Sequence, residues 1–409
     1  MRARRLAARW VLPVEGPPIE HGAVLIGQDG RIQALGSDSE VPRPDVPSLT
    51  FQHAVILPGL INTHTHLELT GFEGQIAERE FPAWIRSLRQ LKATRKVEDY
   101  LDAARRGLQD CFALGITTVA DTGDSGAVIQ ALAEADGSGI AYQEVFGPHP
   151  SQLDESLADL QERVRERSRW AGGRVRLGVS PHALYSVSGP LFAAVAEWAR
   201  AEGFPVAVHV AESAAETHFL LAGSGPFATA WQERGIPLPP AGRTPVAWLH
   251  QLGVLTERTL CIHAIQVLPP DIELLAAAGA AVAHCPLSNR AHGHGAAPLR
   301  DFLTAGIRVG LGTDSVVSIG RLDLLAEARA ARSLASLSAD QALELCTLSA
   351  ARALGMESEA GSLRPGKWGD CAVIRISESE ASPAEAVLAS TPDHVLFTCI
   401  GGRDVFHAP

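Results

Sequence analysis

Lysine is almost missing from this chain of 409 residues. Lys92, Lys96 and Lys367 are the only three among 35 basic residues. None lies between 96 and 367, which takes one kind of metal ligand out of most of the sequence. Long apolar runs are missing too. No stretch of roughly 18 or more apolar residues occurs, so no membrane-spanning helix is expected. The start, MRARRLAARWVLPVEGPP, is basic, but its apolar stretch is short and no small-residue cleavage site follows. It reads as a first β-strand, and a cytoplasmic location is expected. Paired cysteines are lacking: the six are scattered, with no C-x-x-C, and read as reduced core residues. A basic surface is lacking as well. Acidic residues number 46 against 35 basic, a formal charge of -11, which argues against nucleic acid or anionic membrane as partner. There is no phosphate loop and no internal repeat. Ser125, in GDSGA, does not complete a G-x-S-x-G nucleophile elbow.

What is present is ample core. The chain is 46% hydrophobic and 20% charged, ordinary for a globular protein. Its length suits one β/α barrel of about 250 residues with a smaller appended domain. GAVLIGQDGRIQALG places Asp29-Gly30 between two apolar runs, a hairpin pattern. VLFTCIGGRDVFH does the same with Gly401-Gly402, and CAVIRI upstream reads as another strand. Residues 1–56 and 357–409 are therefore expected to form one small β-sandwich domain, split by residues 57–356.

That middle part alternates. Strand-like runs occur at VILPGLINTHTH, GITTVADTG, IAYQEVFGPHP, RVRLGVSPHA, FPVAVHVAES, RTLCIHAIQ, AAVAHCPLSN and RVGLGTDS. Helical patterns lie between them. VEDYLDAARRGLQDCFALG puts Leu101, Ala104, Leu108, Cys111 and Phe112 on one face and stops at Gly115. GPLFAAVAEWARAEG stops at Gly203, and SADQALELCTLSAARALG opens with a Ser338/Gln341 capping box. Eight such strands predict a (β/α)8 barrel, class α/β. A doubly wound open sheet is the alternative.

Histidines and acids recur at the strand ends. His64 and His66 end the first barrel strand. Two residues apart on a strand, they face the same side, as two ligands of one metal must. Alone, such a pair reads equally well as two satisfied polar residues. His182, His209, His263 and Asp314 end the fourth, fifth, sixth and eighth strands. Barrel active sites are assembled at that end from several strands. Imidazoles with a carboxylate suit zinc or iron. Glu212, three residues past His209, falls in the following turn. It can carry protons beside a metal without binding it. Its plain alternative is an acid at a helix N-terminus.

These residues sit in segments that resemble a known family. LPGLINTHTHLE, SPHALYSVS, HVAESAAE, GRTPVAWLHQLGVL, CIHA, HCPLSN, GLGTDS and RPGKWGD are similar to successive motifs of the amidohydrolase superfamily. The branch is that of deaminases and chlorohydrolases related to S-adenosylhomocysteine deaminase. The resemblance implies that His64, His66, His209 and Asp314 hold one divalent metal, zinc before iron. It implies that Glu212 shuttles protons and that His263 orients the attacking water or stabilises the tetrahedral intermediate. Asp314 would also take a proton from that water, and His182, with Ser186 in the same motif, would contact substrate. Two-metal members often bridge their ions with a carboxylated lysine from mid-barrel. The lysine gap therefore favours one metal. The glutamate at 212 points to deamination or dehalogenation of an aromatic ring.

The expected reaction is hydrolytic loss of the exocyclic amino group of an aminopurine nucleoside, with ammonia released. FPAWIRSL resembles the aminodeoxyfutalosine deaminases. 5'-Methylthioadenosine or S-adenosylhomocysteine is the next substrate, then guanine or a triazine. A non-catalytic barrel subunit is the reading from another class, although such proteins usually lose ligands. Phe81 and Trp84, after strand one, would stack on the base or pack the loop. The segment between Glu212 and His263, with its PLPP stretch, is expected to carry a second lid. Arg243 reads as a surface residue or a carboxylate partner. His292 and His294 lie in a loop on the active face, and His284 reads as core. The family's habit suggests a homodimer.

Overall fold

The computed structural model describes residues 3–43, 45, 48–78, 80–377 and 382–409. The chain opens with β1 (Arg4–Val11), β2 (Ile19–Ile26), β3 (Ile32–Ser37) and β4 (Ser48–Pro58). The Asp29-Gly30 hairpin joins β2 to β3, with Gly30 at φ +77. β1 pairs antiparallel with β2 and parallel with β4. Gly59 then hands the chain from this sheet to the barrel. A Cβ there would stand 2.2 Å from Thr117 Oγ1, so the crossing is open only to glycine.

The barrel strands are β5 (Leu60–Thr65), β6 (Ile116–Gly123), β7 (Ser138–Val145), β8 (Val175–Pro181), β9 (Val206–Val210), β10 (Thr259–His263), β11 (Ala281–His284) and β12 (Arg308–Leu311). They form one parallel sheet in sequence order, as the eight apolar runs predicted. The ring closes just past β12. The amides of Thr313 and Asp314 donate to the His64 carbonyl at 3.1 and 3.0 Å. The open doubly wound sheet is thereby excluded.

Helices cover the outside. Val97–Ala113 buries Ala104, Leu108, Cys111 and Phe112 and ends before Gly115, at φ +77. Gly189–Glu202 stops on Gly203 in the left-handed region. The Ser338/Gln341 capping box forms, but the helical stretch after it breaks into Ala339–Glu344 and Leu348–Ala353. The carbonyls of Leu345 and Cys346 accept the amides of Leu311 and Ile61 instead. Barrel strands thus take up carbonyls that a continuous helix would use.

The chain returns through β13 (Cys371–Arg375), β14 (Val395–Ile400) and β15 (Arg403–His407). β13 pairs antiparallel with β4, so strands from both chain ends share one mixed seven-stranded sheet. The expected sandwich is built as one continuous hydrogen-bonded sheet. Its inner face packs Leu6, Val24, Ile56, Val373, Phe397 and Cys399 together. Its outer face at Val55, Leu57, Ala372 and Ile374 joins the large core around the barrel. Alternation along β4 and β13 thus serves two cores at once. All six cysteines are buried and unpaired. Among the described residues no helix is long and apolar enough to cross a membrane.

Candidate metal centre and active site

Every strand end singled out by the sequence opens into one cavity of about 610 Å³. Its wall includes His66, His182, His209, Glu212, His263 and Asp314. His64 is fully buried beneath them, its ring 4.7 Å from that of His66 and 5.0 Å from that of His209. The ring nitrogens of His64, His66 and His209 lie within 4.8 Å of one another. Asp314 Oδ1 stands 3.5 Å from Nε2 of both His64 and His66.

The surroundings orient these rings. His66 Nδ1 donates to the Thr122 carbonyl at 2.8 Å, and His209 Nδ1 to the His182 carbonyl at 3.2 Å. A carbonyl only accepts, so each Nδ1 carries the proton and each Nε2 keeps a free lone pair. Both ring nitrogens of His64 are buried without a hydrogen-bond partner. Burial first, then the neighbouring His64, pushes His66 down to about 3. Burial also holds His209 well below its ordinary value, with His182 adding to it. Neutral imidazoles with inward lone pairs, one of them orphaned, fit a divalent cation.

Asp314 accepts from Ser288 Oγ at 2.5 Å and from the Ser315 amide at 2.7 Å. Backbone strain gathers at this end of the barrel. Ala211, His263, Ala264 and Asp314 all have φ between +46 and +70. Non-glycine residues rarely adopt that region, and each costs about 1–3 kcal/mol. The strain re-aims side chains that a continuing strand would point elsewhere.

Glu212 sits beyond β9, almost fully buried. Its Oε1 is 3.6 Å from His263 Nε2 and 3.7 Å from His294 Nε2. Its turn is fixed from below. The Glu216 carboxylate accepts the amides of Ala211 and Glu212 at 3.1 and 2.9 Å. Burial, with the Asp314 and Glu216 charges, pushes the Glu212 carboxyl well above its ordinary range. His263 donates from Nδ1 to Asn289 Oδ1 at 3.0 Å, leaving Nε2 towards Glu212. Burial pushes His263 down to about 3.

The remaining predicted residues divide. Phe81, Trp84, His182 and Ser186 all line the cavity, and Ser186 Oγ contacts His182 Nδ1 at 2.8 Å. Phe81 and Trp84 belong to a helix, Phe81–Lys92, laid across the mouth. Phe81 meets the His294 ring at 4.5 Å and Trp84 the His292 ring at 4.7 Å, so both pack and line. His284 is core, outside the cavity wall. Arg243 lies over the Trp248 ring and does not line the cavity. The second lid expected between Glu212 and His263 is there: it is the helix Pro226–Glu233, through Phe227, Ala230 and Trp231, while the PLPP stretch after it does not line the cavity.

Several cavity residues escaped the sequence reading, Lys92, Tyr185 and Glu144 among them. Lys92 lies in the wall, its Nζ held by Glu68 Oε1 at 2.9 Å and Asp124 Oδ1 at 2.5 Å. Tyr185 stacks on Phe227 with centroids 4.1 Å apart. Glu144 is buried near the end of β7. An acid closing the apolar run IAYQEV was the available sign, the same sign that marked His182.

The Amidohydrolase family profile matches residues 55–403. The aminodeoxyfutalosine deaminase of Deinococcus radiodurans is 34% identical over 332 residues, covering 76% of each chain. The 5-methylthioadenosine/S-adenosylhomocysteine deaminase of Natronomonas pharaonis is 30% identical over 392 residues, 93% of this chain and 84% of that one. A zinc-bound adenosine deaminase from Xanthomonas campestris superposes with a TM-score of 0.85 over 98% of this chain and 92% of its own, at 24% identity. With a family match across nearly the whole barrel and its strand-end histidines gathered in one cavity, this chain is a hydrolase of the amidohydrolase family.

Proposed function

We propose that the chain is a mononuclear metal-dependent aminohydrolase that removes the exocyclic amino group of an adenine-type nucleoside and releases ammonia. One observation carries the reading: His64, His66, His209, Asp314 and Glu212 converge at one end of a cavity walled by aromatic rings. His64, His66, His209 and Asp314 would hold the cation, with zinc as the first choice. A bound cation of this kind lowers the pKa of its water to roughly 7 and so supplies a nucleophile at neutral pH.

The chain's own groups do the rest. Asp314 takes a proton from the attacking water and passes it to the amino group, which leaves as ammonia when the C–N bond breaks. Glu212 delivers a proton to the ring nitrogen next to the amino-bearing carbon, and burial, which favours its neutral form, suits it to that donor role. His263, fixed by Asn289, orients the water. His182, fixed by Ser186, offers its other ring nitrogen to the substrate. Lys92, the one lysine in the wall, is occupied by Glu68 and Asp124, in keeping with a single-metal site.

Among adenine nucleosides we favour aminodeoxyfutalosine. The 34% relative has that activity, and Arg89 and Arg234 line the cavity without an ion-pair partner among the described residues. The Arg89 charge reaches His182 and Tyr185 across the cavity. An unpaired guanidinium suits a substrate carboxylate. Aminodeoxyfutalosine and S-adenosylhomocysteine carry one, and methylthioadenosine does not. Ammonia release from these three, adenosine and guanine, with chloride release from a chlorotriazine, tests the assignment. Turnover is expected for the nucleosides, highest for aminodeoxyfutalosine. Silence across the panel from protein with one metal per chain would discard the adenine reading.

A further inference from the structure

Of the cavity acids that the reaction leaves unused, Asp124 is held by Lys92 and Glu144 is not. Glu144 is 4% exposed, yet it lines the cavity and its Oε1 has no hydrogen-bond partner. The other buried acids nearby are satisfied differently. Asp121 accepts from the Leu67 amide and Thr65 Oγ1, Glu216 from two backbone amides, and Asp314 from Ser288 and Ser315. The nearby Lys92 is engaged by Glu68 and Asp124. A buried carboxylate oxygen without a donor is costly to keep unless a ligand supplies the donor.

The position of Glu144 narrows that donor. Its carboxylate and the rings of His182 and His209 bring ligand atoms within 4.8 Å of one another. A cation among these three is disfavoured by the ring chemistry. His209 Nδ1 is bound to the His182 carbonyl, so Nε2 is its only free nitrogen, and that nitrogen already serves the cluster with His64 and His66. A row of imidazoles separates the two acids. His182, His209 and His263 stand with centroids 4.9 and 5.6 Å apart. Glu144 lies at the His182 end and Glu212 at the His263 end. A nucleoside with its base at Glu212 therefore extends past His209, and the group that follows the base is its sugar. A carboxylate has two acceptor oxygens and matches two adjacent hydroxyl donors.

We infer that Glu144 is a specificity-determining residue that accepts hydrogen bonds from the vicinal 2'- and 3'-hydroxyls of the substrate's ribose. This rests on the adenine-nucleoside reading above and adds the sugar to it. Monodeoxynucleosides are then poorer substrates because each leaves one Glu144 oxygen without its donor.

The test compares kcat/KM for adenosine, 2'-deoxyadenosine and 3'-deoxyadenosine in metal-replete wild type, Glu144→Ala and Glu144→Gln. Wild type is expected to prefer adenosine by about 10- to 100-fold, the usual worth of a hydrogen bond to a charged group. Glu144→Ala should lose about that factor on adenosine alone, bringing the three substrates close to equality. Glu144→Gln, the same size and less prone to misfold, should keep part of the preference. The inference is overturned if wild type deaminates all three equally, or if both variants, folded and metal-loaded, keep the full preference. No ammonia in wild type from adenosine, aminodeoxyfutalosine, methylthioadenosine or S-adenosylhomocysteine overturns the nucleoside reading itself, and this inference with it.

Discussion

Compare the inner face of the terminal sheet with the mouth of the barrel. In the sheet, Ile56, Val373, Phe397 and Cys399 are fully buried against one another. Its tight turns place positive φ on Gly30, Gly401 and Gly402, where it is nearly free. At the mouth, positive φ falls on Ala211, His263, Ala264 and Asp314. There His64 and Glu144 are buried with polar atoms unpartnered. On that inner face local preference and packing agree, although Val14 and His21, off that face, take positive φ without being glycine. The mouth sets them against each other, and the missing partners are ligand-shaped. Stability resides in the first region and chemistry in the second.

Four substitutions would sharpen or break that division. The largest effect belongs to Glu212→Gln. It should lower kcat by about 10²- to 10⁴-fold while the variant stays folded and keeps one metal per chain. Near-normal turnover would remove Glu212 from the chemistry. Next comes Phe397→Ala, in the sheet, which should lower stability in urea by about 3–5 kcal/mol. Ammonia release per folded molecule should not change. A parallel fall in kcat would show that the two regions are coupled.

Glu216 straddles the division, because it shapes the site by being buried. Burial, opposed by its two backbone hydrogen bonds, raises its pKa from 4.5 to about 7. Below pH 4.5 the group is protonated in both folded and unfolded chains, and its contribution is fully present. Between 4.5 and about 7 the folded chain holds the extra proton, so stability falls as pH rises. The loss across that window is about 3 kcal/mol. Urea midpoints of metal-free wild type and Glu216→Gln at pH 5 and 7.5 should diverge by most of that amount. Parallel lines would mean that the carboxyl ionises freely. The smallest effect is Gly402→Ala. With φ at +77 and its Cβ 2.9 Å from Ile26 Cγ2, it should cost about 1–2 kcal/mol in thermal unfolding and nothing in activity.

Much of the fold was legible because period and punctuation carry it. The eight apolar runs became β5 to β12 in order, and the glycine pairs became turns. His64 and His66 were legible because residues two apart on a strand share a face. His182, His209 and Asp314 were legible because polar groups ending apolar runs stand out. The broken helix after Ser338 was not legible. Its carbonyls are taken by strands far away in sequence, Ile61 and Leu311. The second lid was legible as a segment between Glu212 and His263, but not as a particular helix within it, because long-range contacts choose the helix. Helix Pro226–Glu233 turns inward because Phe227 stacks on Tyr185 and Trp231 donates to the Tyr185 carbonyl.

By itself the sequence determined which residue types stand at the strand ends, because a strand's period and its terminating residues are local properties. It determined in the same way that no lysine follows at mid-barrel. Only the tertiary structure decided which nitrogen of each imidazole is free. That depends on carbonyls such as those of Thr122 and His182, on neighbouring strands. It also decided that Lys92 is occupied while Glu144 is not. Both belong to one cavity, and what separates them is whether a partner charge or donor lies within hydrogen-bond reach after folding.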